Sequence, residues 1–418
     1  MPSLVSALRD IPYMGVIWVV AEAEKLGFTN GDPDWCNLGQ GQPEIGEMDG
    51  APPRLDTIDL EPEDHAYGPL GGTVELRQAI AEHTNRLHRQ GRTSLYTADN
   101  VSVAAGGRLA LTRAFQALGD GRLGYQVPDY TAYEDMIDVH RHRLQPVALV
   151  AEEADGFLLS PDHLGAAMVN EALTALVLSN PCNPTGRVIQ GRALADLVRL
   201  GREHSCTLFL DEFYSHFIYE NGGPARGPVS AAAYVEDVDE DRVLLIDGLT
   251  KSFRYPGWRV GWTVGPRDMI DTLGRAASAI DGGPGRPIQR AALAVLEQGR
   301  ADQETTALRA VFSAKRNLMV DRLETMGVRF AYPSDSTFYV WGCLDALPEP
   351  LNDVETFFRH ALEAKVLTVP GRFFDVNPGK SRTGPSPLAS WMRFSFGPPM
   401  ENVVLGLDRL AAMVAGAR

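Results

Sequence analysis

The sequence predicts an α/β fold in two lobes: a large lobe built on a mostly parallel sheet flanked by helices, and a smaller α+β lobe. Three observations carry this. The chain has 418 residues, 44% of them apolar, which is enough for more than one core and argues against disorder. Between about residues 100 and 265, short apolar runs alternate with helical periodicity, the pattern of strands linked by crossover helices. After Pro287 the pattern changes to long helical segments.

Taken in order, residues 11–21 form an apolar stretch interrupted by Pro12 and Gly15. It is too short to cross a bilayer and lacks a basic region before it, so neither a membrane anchor nor a signal peptide is expected. Strands are expected at 100–104, 174–178, 207–210 and 243–246, with helices at 108–118 and 193–204. Helices at 288–297 and 302–326, a strand at 337–341, a helix at 354–364 and a last helix from 401 complete the chain. This divides it into a large lobe at 49–310 and a small lobe formed by 1–48 with 311–418. The most loop-like composition falls at 30–53, 221–230, 281–287 and 377–390.

Charge and cysteine usage narrow the function. Lys+Arg number 39 against 54 Asp+Glu, a net −15 with no basic block, which argues against nucleic-acid binding. Cys36, Cys182, Cys206 and Cys343 lie far apart, so no disulfide framework or zinc site is indicated and a reducing cytoplasm is expected. Gly119 to Gly124 matches a dinucleotide-binding fingerprint letter for letter, yet it follows a helix where the motif needs a strand. His140 and His142 have no further ligand at metal spacing and read as a solvated surface, so no metal is expected.

In parallel sheets, ligands sit outside the carboxyl ends of the strands, and the unusual residues of this chain follow those ends: Asn183, Asp211 and Lys251. A strand-end lysine is an exposed rim charge or an amine that attacks a carbonyl once burial and nearby cations lower its pKa. An aspartate closing the apolar run Leu208-Phe-Leu needs a partner, and a protonated ring nitrogen is one. Gly106, Gly107 and Arg108 open a helix, either as an anion site or as a capped turn.

Four segments in order complete a pattern: Asn183-Pro-Thr-Gly186, Asp211 to Tyr214, Thr250-Lys251-Ser-Phe253 with Arg259 eight residues after the lysine, and Arg393-Phe-Ser395. The sequence resembles fold-type I pyridoxal-phosphate enzymes of the class I/II aminotransferase family, from about Leu38 to Ser395. The resemblance implies that Lys251 is the Schiff-base lysine and proton carrier, that Asp211 pairs with the pyridine N–H, and that Asn183 and Tyr214 donate to the ring oxygen. It implies that Arg393 clamps the substrate α-carboxylate near Asn183 and Gly41. It assigns the cofactor phosphate to Gly106, Gly107, Arg108, Thr250 and Arg259, and ring stacking to Tyr130. Tyr67 corresponds to a tyrosine that reaches the neighbouring subunit's phosphate, which implies a homodimer with shared sites.

The implied activity is transfer of an amino group from an L-α-amino acid to a 2-oxo acid. A rival of the same fold is a lyase, cyclase or oxidase acting on a cationic amino acid such as arginine. The acids at Glu44, Glu47, Asp49 and Asp281 motivate that rival, because they are expected to rim the substrate pocket and attract a cationic side chain. Here Gly248-Leu-Thr250 leaves Thr250 as the only hydroxyl just before the lysine, where relatives often carry a second.

Overall fold

The computed structural model describes residue 13, residues 15–219 and residues 227–417. Of the expected segments, residues 11, 12 and 14 of the apolar stretch and residues 221–226 of one loop lie outside these. The strands are β1 Cys36–Asn37, β2 Val101–Ala104, β3 Gly121–Val127, β4 Leu144–Val150, β5 Ala175–Ser179, β6 Thr207–Asp211, β7 Val243–Gly248, β8 Gly261–Val264, β9 Tyr339–Cys343, β10 Val366–Leu367, β11 Val369–Pro370 and β12 Trp391–Ser395. The helices are α1 Gly15–Glu24, α2 Val74–His88, α3 Gly107–Ala117, α4 Ala132–Val139, α5 Pro161–Asn170, α6 Arg192–Glu203, α7 Arg267–Ile280, α8 Arg286–Leu296, α9 Gln298–Met326, α10 Val354–Glu363 and α11 Met400–Gly416.

The large sheet runs β2-β8-β7-β6-β5-β3-β4, parallel throughout from β7 to β4 and antiparallel where β8 meets its two neighbours. Its inner strands are buried on both faces, as helices on either side require: every residue of β5 and β6 is buried. The register pairs Ser179 with Asp211 and Asp211 with Ile246, so β5, β6 and β7 end together along one edge. A smaller sheet, β11-β12-β9, is antiparallel, and β1 pairs in parallel with β10. That pairing and the packing of α1 on β10 and β11 tie the N-terminal segment to the C-terminal part. Helix α9 runs unbroken through position 310.

Strands β3 and β4 and helices α2, α4, α5 and α7 were not anticipated. In β3 the reason is packing: a side chain at Gly121 would collide with Thr174, and one at Gly124 would sit 2.7 Å from Leu173. Glycines that clear room for neighbours read as turns in a propensity scan. The fingerprint-like stretch 119–124 runs from the end of α3 into β3, the reverse of the strand-then-helix order that motif needs. His142 is exposed as expected, but His140 is buried, stacked on Phe115 and hydrogen-bonded by Arg143, because the turn after α4 folds it inward. Among the described residues no group of acids, histidines and cysteines could hold a metal, and no helix is long and apolar enough to cross a membrane. All four cysteines are free and buried.

Candidate active site

The shared edge of β5, β6 and β7 carries the candidate residues. Asp211 is the last residue of β6, Asn183 lies in the turn after β5, and Lys251 lies in the turn after β7. The Lys251 amine donates a hydrogen bond to the carbonyl of Gly41 and lies 5.9 Å from the ring centre of Tyr214. Burial pushes its ammonium pKa down from 10.5 to about 7; Arg393, Arg259 and Arg108 add to that push, against the pull of Asp211. Lys251 therefore carries a neutral, nucleophilic amine just above neutral pH. The charges that influence it are those the sequence grouped with it.

Asp211 is buried and accepts from the Tyr133 hydroxyl at 2.9 Å and more distantly from the Phe213 N–H at 3.4 Å. Desolvation raises its carboxyl pKa to about 6, opposed by the Tyr133 bond and by Lys251. Among the described residues it has no ion-pair partner, so a cationic N–H placed against it would supply the missing charge.

Arg393, on β12, is 1% exposed. Its Nη1 donates to Asn183 Oδ1 and its Nη2 to Gly39 O, each at 2.8 Å, while its plane lies 4.0 Å from the centre of the Tyr339 ring. Its Nε is buried without a hydrogen-bond partner. Tyr339 in turn shares a 2.8 Å hydrogen bond with Tyr214, whose hydroxyl pKa burial raises well above the ordinary value.

A cradle stands at the head of α3. Gly106, at φ +96°, approaches Arg259 so closely that a Cβ there would collide with the guanidinium, and a Cβ at Gly107 would collide with the Phe213 ring. Arg259 itself adopts φ +54° and donates to Pro256 O at 3.0 Å. Arg108 donates to the Tyr130 hydroxyl at 3.2 Å. Glycines, a helix N-terminus and two exposed arginines suit a phosphate. Together with the unpaired carboxylate of Asp211 and the depressed amine of Lys251, the residues fit pyridoxal 5'-phosphate.

Two expectations meet the structure differently. Tyr67 is 99% exposed in this chain. Asp281, expected to rim the pocket and attract a cationic substrate, is instead held by Arg113: both carboxylate oxygens accept from the guanidinium, at 2.7 to 3.1 Å, with Arg113 fully buried. Arg290, nine residues further along the chain, pairs instead with Asp64 and Glu61. Glu44 is likewise taken by Lys315 at 2.7 Å. Sequence reasoning overlooked Tyr133, Tyr339 and the carbonyl of Gly39; Gly41, expected near the substrate carboxylate, accepts from the Lys251 amine. Only Tyr133 left a signal, one helical turn from Tyr130 at the start of α4.

The chain matches the family model for aminotransferase class I and II over residues 33–410. It is 30% identical to an aspartate/prephenate aminotransferase of Thermus thermophilus over 84% of each chain, and 28% identical to an aspartate aminotransferase of Streptomyces avermitilis over 85% of this chain and 83% of that one. Its fold superposes with a TM-score of 0.78 on a Thermus thermophilus aspartate aminotransferase tetra mutant complexed with tryptophan, at 25% identity over 99% of this chain and 100% of that one. With the family's motifs in order along it, this chain belongs to the class I and II aminotransferases, enzymes that use pyridoxal 5'-phosphate to move an amino group from an amino acid to a 2-oxo acid.

Proposed function

We propose that the transfer runs at Lys251, with an acidic L-α-amino acid such as aspartate as donor. The single observation that supports the site is the depressed lysine beside an unpaired buried carboxylate, Lys251 with Asp211. The pairing of Asp281 and Glu44 with cations takes up two of the four acids that favoured a cationic substrate. The names of the relatives point the same way.

When bound, pyridoxal 5'-phosphate supplies the carbonyl that takes up the amino group and an electron-withdrawing ring that acidifies the substrate Cα–H. Gly106, Gly107, Arg108, Thr250 and Arg259 would hold its phosphate. Asp211, kept oriented by Tyr133, would hold the ring N–H, with Tyr130 against the ring face and Asn183 and Tyr214 toward the ring oxygen. Lys251, as a neutral amine, would hold the cofactor at its carbonyl carbon and would carry the proton removed from the substrate Cα. Arg393 offers its planar fork to the α-carboxylate, with Asn183, Gly39 and Tyr339 setting its plane.

The reading includes a homodimer in the cytoplasm, with Tyr67 reaching the partner's phosphate; its near-complete exposure beside exposed Leu60, Leu70 and Val74 supports that surface as one made for contact. Mixing Tyr67→Phe with Lys251→Ala protein tests it, since only shared sites restore activity. The donor is tested by single turnover with aspartate, glutamate, arginine and phenylalanine, following conversion of the cofactor to its amine form. Aspartate should react fastest. A clear preference for arginine, or ammonia release without amine cofactor, overturns the reading.

A further inference from the structure

The Pro128-Asp129-Tyr130 turn buries a carboxylate that the proposed reaction does not use. Asp129 is 0% exposed, and no cation acts on it. Its donors are all neutral: the Tyr130 N–H to Oδ1 at 2.7 Å, the Ser179 N–H to Oδ2 at 3.1 Å, and the Ser179 hydroxyl to Oδ1. Desolvation raises its carboxyl pKa to about 8 despite these bonds, and nearby Asp211 adds to the rise. Burying an acid without a counter-ion costs stability, so folding alone gives no reason for it.

Its partners lead to two sides of the candidate site. Tyr130, held at its backbone by Asp129 and at its hydroxyl by Arg108, is the residue proposed to lie on the cofactor ring. Ser179 accepts from the Asn183 N–H at 3.2 Å, and the Asn183 side chain accepts from Arg393. The Asp129 N–H itself donates to Phe374 O at 3.2 Å, and the Phe374 ring stands 5.0 Å from the Arg393 guanidinium.

We propose that Asp129 is a positioning residue that sets the ring-facing Tyr130 and, through Ser179, the Asn183–Arg393 clamp in fixed register with each other. This rests on the roles proposed above for Tyr130, Asn183 and Arg393. A carboxyl group suits the task because its two oxygens together accept three hydrogen bonds, more than the single oxygen of an amide can accept in the same geometry. An asparagine would turn a donor toward the Ser179 N–H while keeping an acceptor for Tyr130.

Three variants of the holoenzyme separate the two arms. Ser179→Ala should raise KM for L-aspartate about fivefold, the size of one neutral hydrogen bond, with kcat and cofactor affinity unchanged. Asp129→Asn should raise KM about tenfold or more, again with cofactor affinity kept. Asp129→Ala should raise KM and also weaken cofactor binding, because Tyr130 is then released. Hydrogen exchange provides a readout without turnover: peptides spanning 179–186 should exchange faster in all three variants, and peptides spanning 129–133 only in Asp129→Ala. Wild-type KM and exchange in Ser179→Ala and Asp129→Asn overturn the proposal. So does a fall in melting temperature with KM, kcat and cofactor affinity lost in the same proportion in each variant, which marks a structural role. If wild-type protein turns over no donor, the reaction assigned to the site fails, and the exchange pattern still decides the link.

Discussion

The strand-end edge and the loops that face it both hold buried charge, and they treat it in opposite ways. At the edge, Asp211 and Lys251 stand without an ion pair among the described residues, held only by polar contacts to neutral groups, Tyr133 and the Phe213 N–H for one and the Gly41 carbonyl for the other. In the facing segments the charges are matched. Asp281 binds Arg113, Glu44 binds Lys315, and Arg254, which also donates to Glu44 O and Gly46 O, binds Glu304 at 2.5 Å. Buried charge left unmatched is costly, and at Asp211 and Lys251 a ligand would complete it; buried charge that is matched holds loops in place.

Breaking the unmatched set should have the largest effect. Lys251→Ala should lose at least about a thousandfold in turnover together with every borohydride-reducible imine, since no other amine reaches that position. Retained imine and activity would disprove its role. Arg393→Lys should raise KM and lower kcat, by about tenfold to a hundredfold in kcat/KM, because a point charge replaces a fork whose hydrogen bonds involve a charged group. Steady-state kinetics with aspartate decide this, and wild-type values would remove Arg393 from the site.

Breaking the matched set should act on stability instead. Asp281→Asn leaves the buried Arg113 short of its partner and should cost about 3 kcal/mol in denaturant unfolding, while the ratio of aspartate to arginine as donors stays the same. A shift of that ratio toward aspartate would return Asp281 to the substrate pocket.

Titration sharpens the comparison in a third way. Because Lys251 titrates at about 7 in the fold and near 10.5 when unfolded, the folded form releases its proton first, so the cofactor-free protein gains stability as pH rises from about 7 toward 10.5. Over the same lower limb, uptake of pyridoxal phosphate by the free amine should accelerate with a midpoint near 7. Arg393→Gln removes one of the depressing cations and should move that midpoint upward. A midpoint near 10 in the unaltered protein would contradict the burial of the amine.

Much of this was readable before any coordinates. The places of Asn183, Asp211 and Lys251 were legible because each follows a short apolar run that ends in a polar break, a local pattern that already states which end of a strand it occupies, whereas Arg259 and Arg393 were found by motif spacing. Tyr133 and Tyr339 escaped because a tyrosine in an apolar setting reads as core, and only proximity to Asp211 or Tyr214 distinguishes it. Asp129 escaped because a Pro-Asp pair reads as a turn.

By itself the sequence determined the α/β class, the family and the residues set at the strand ends, since alternation of apolar runs and motif spacing are local properties that folding preserves. Only the tertiary structure decided which charges neutralise one another. Arg113 reaches Asp281 across 168 residues of chain, and Lys315 reaches Glu44 across 271. Coulomb energy depends on distance in space and on exclusion of water, and neither is encoded in the spacing of residues along the chain.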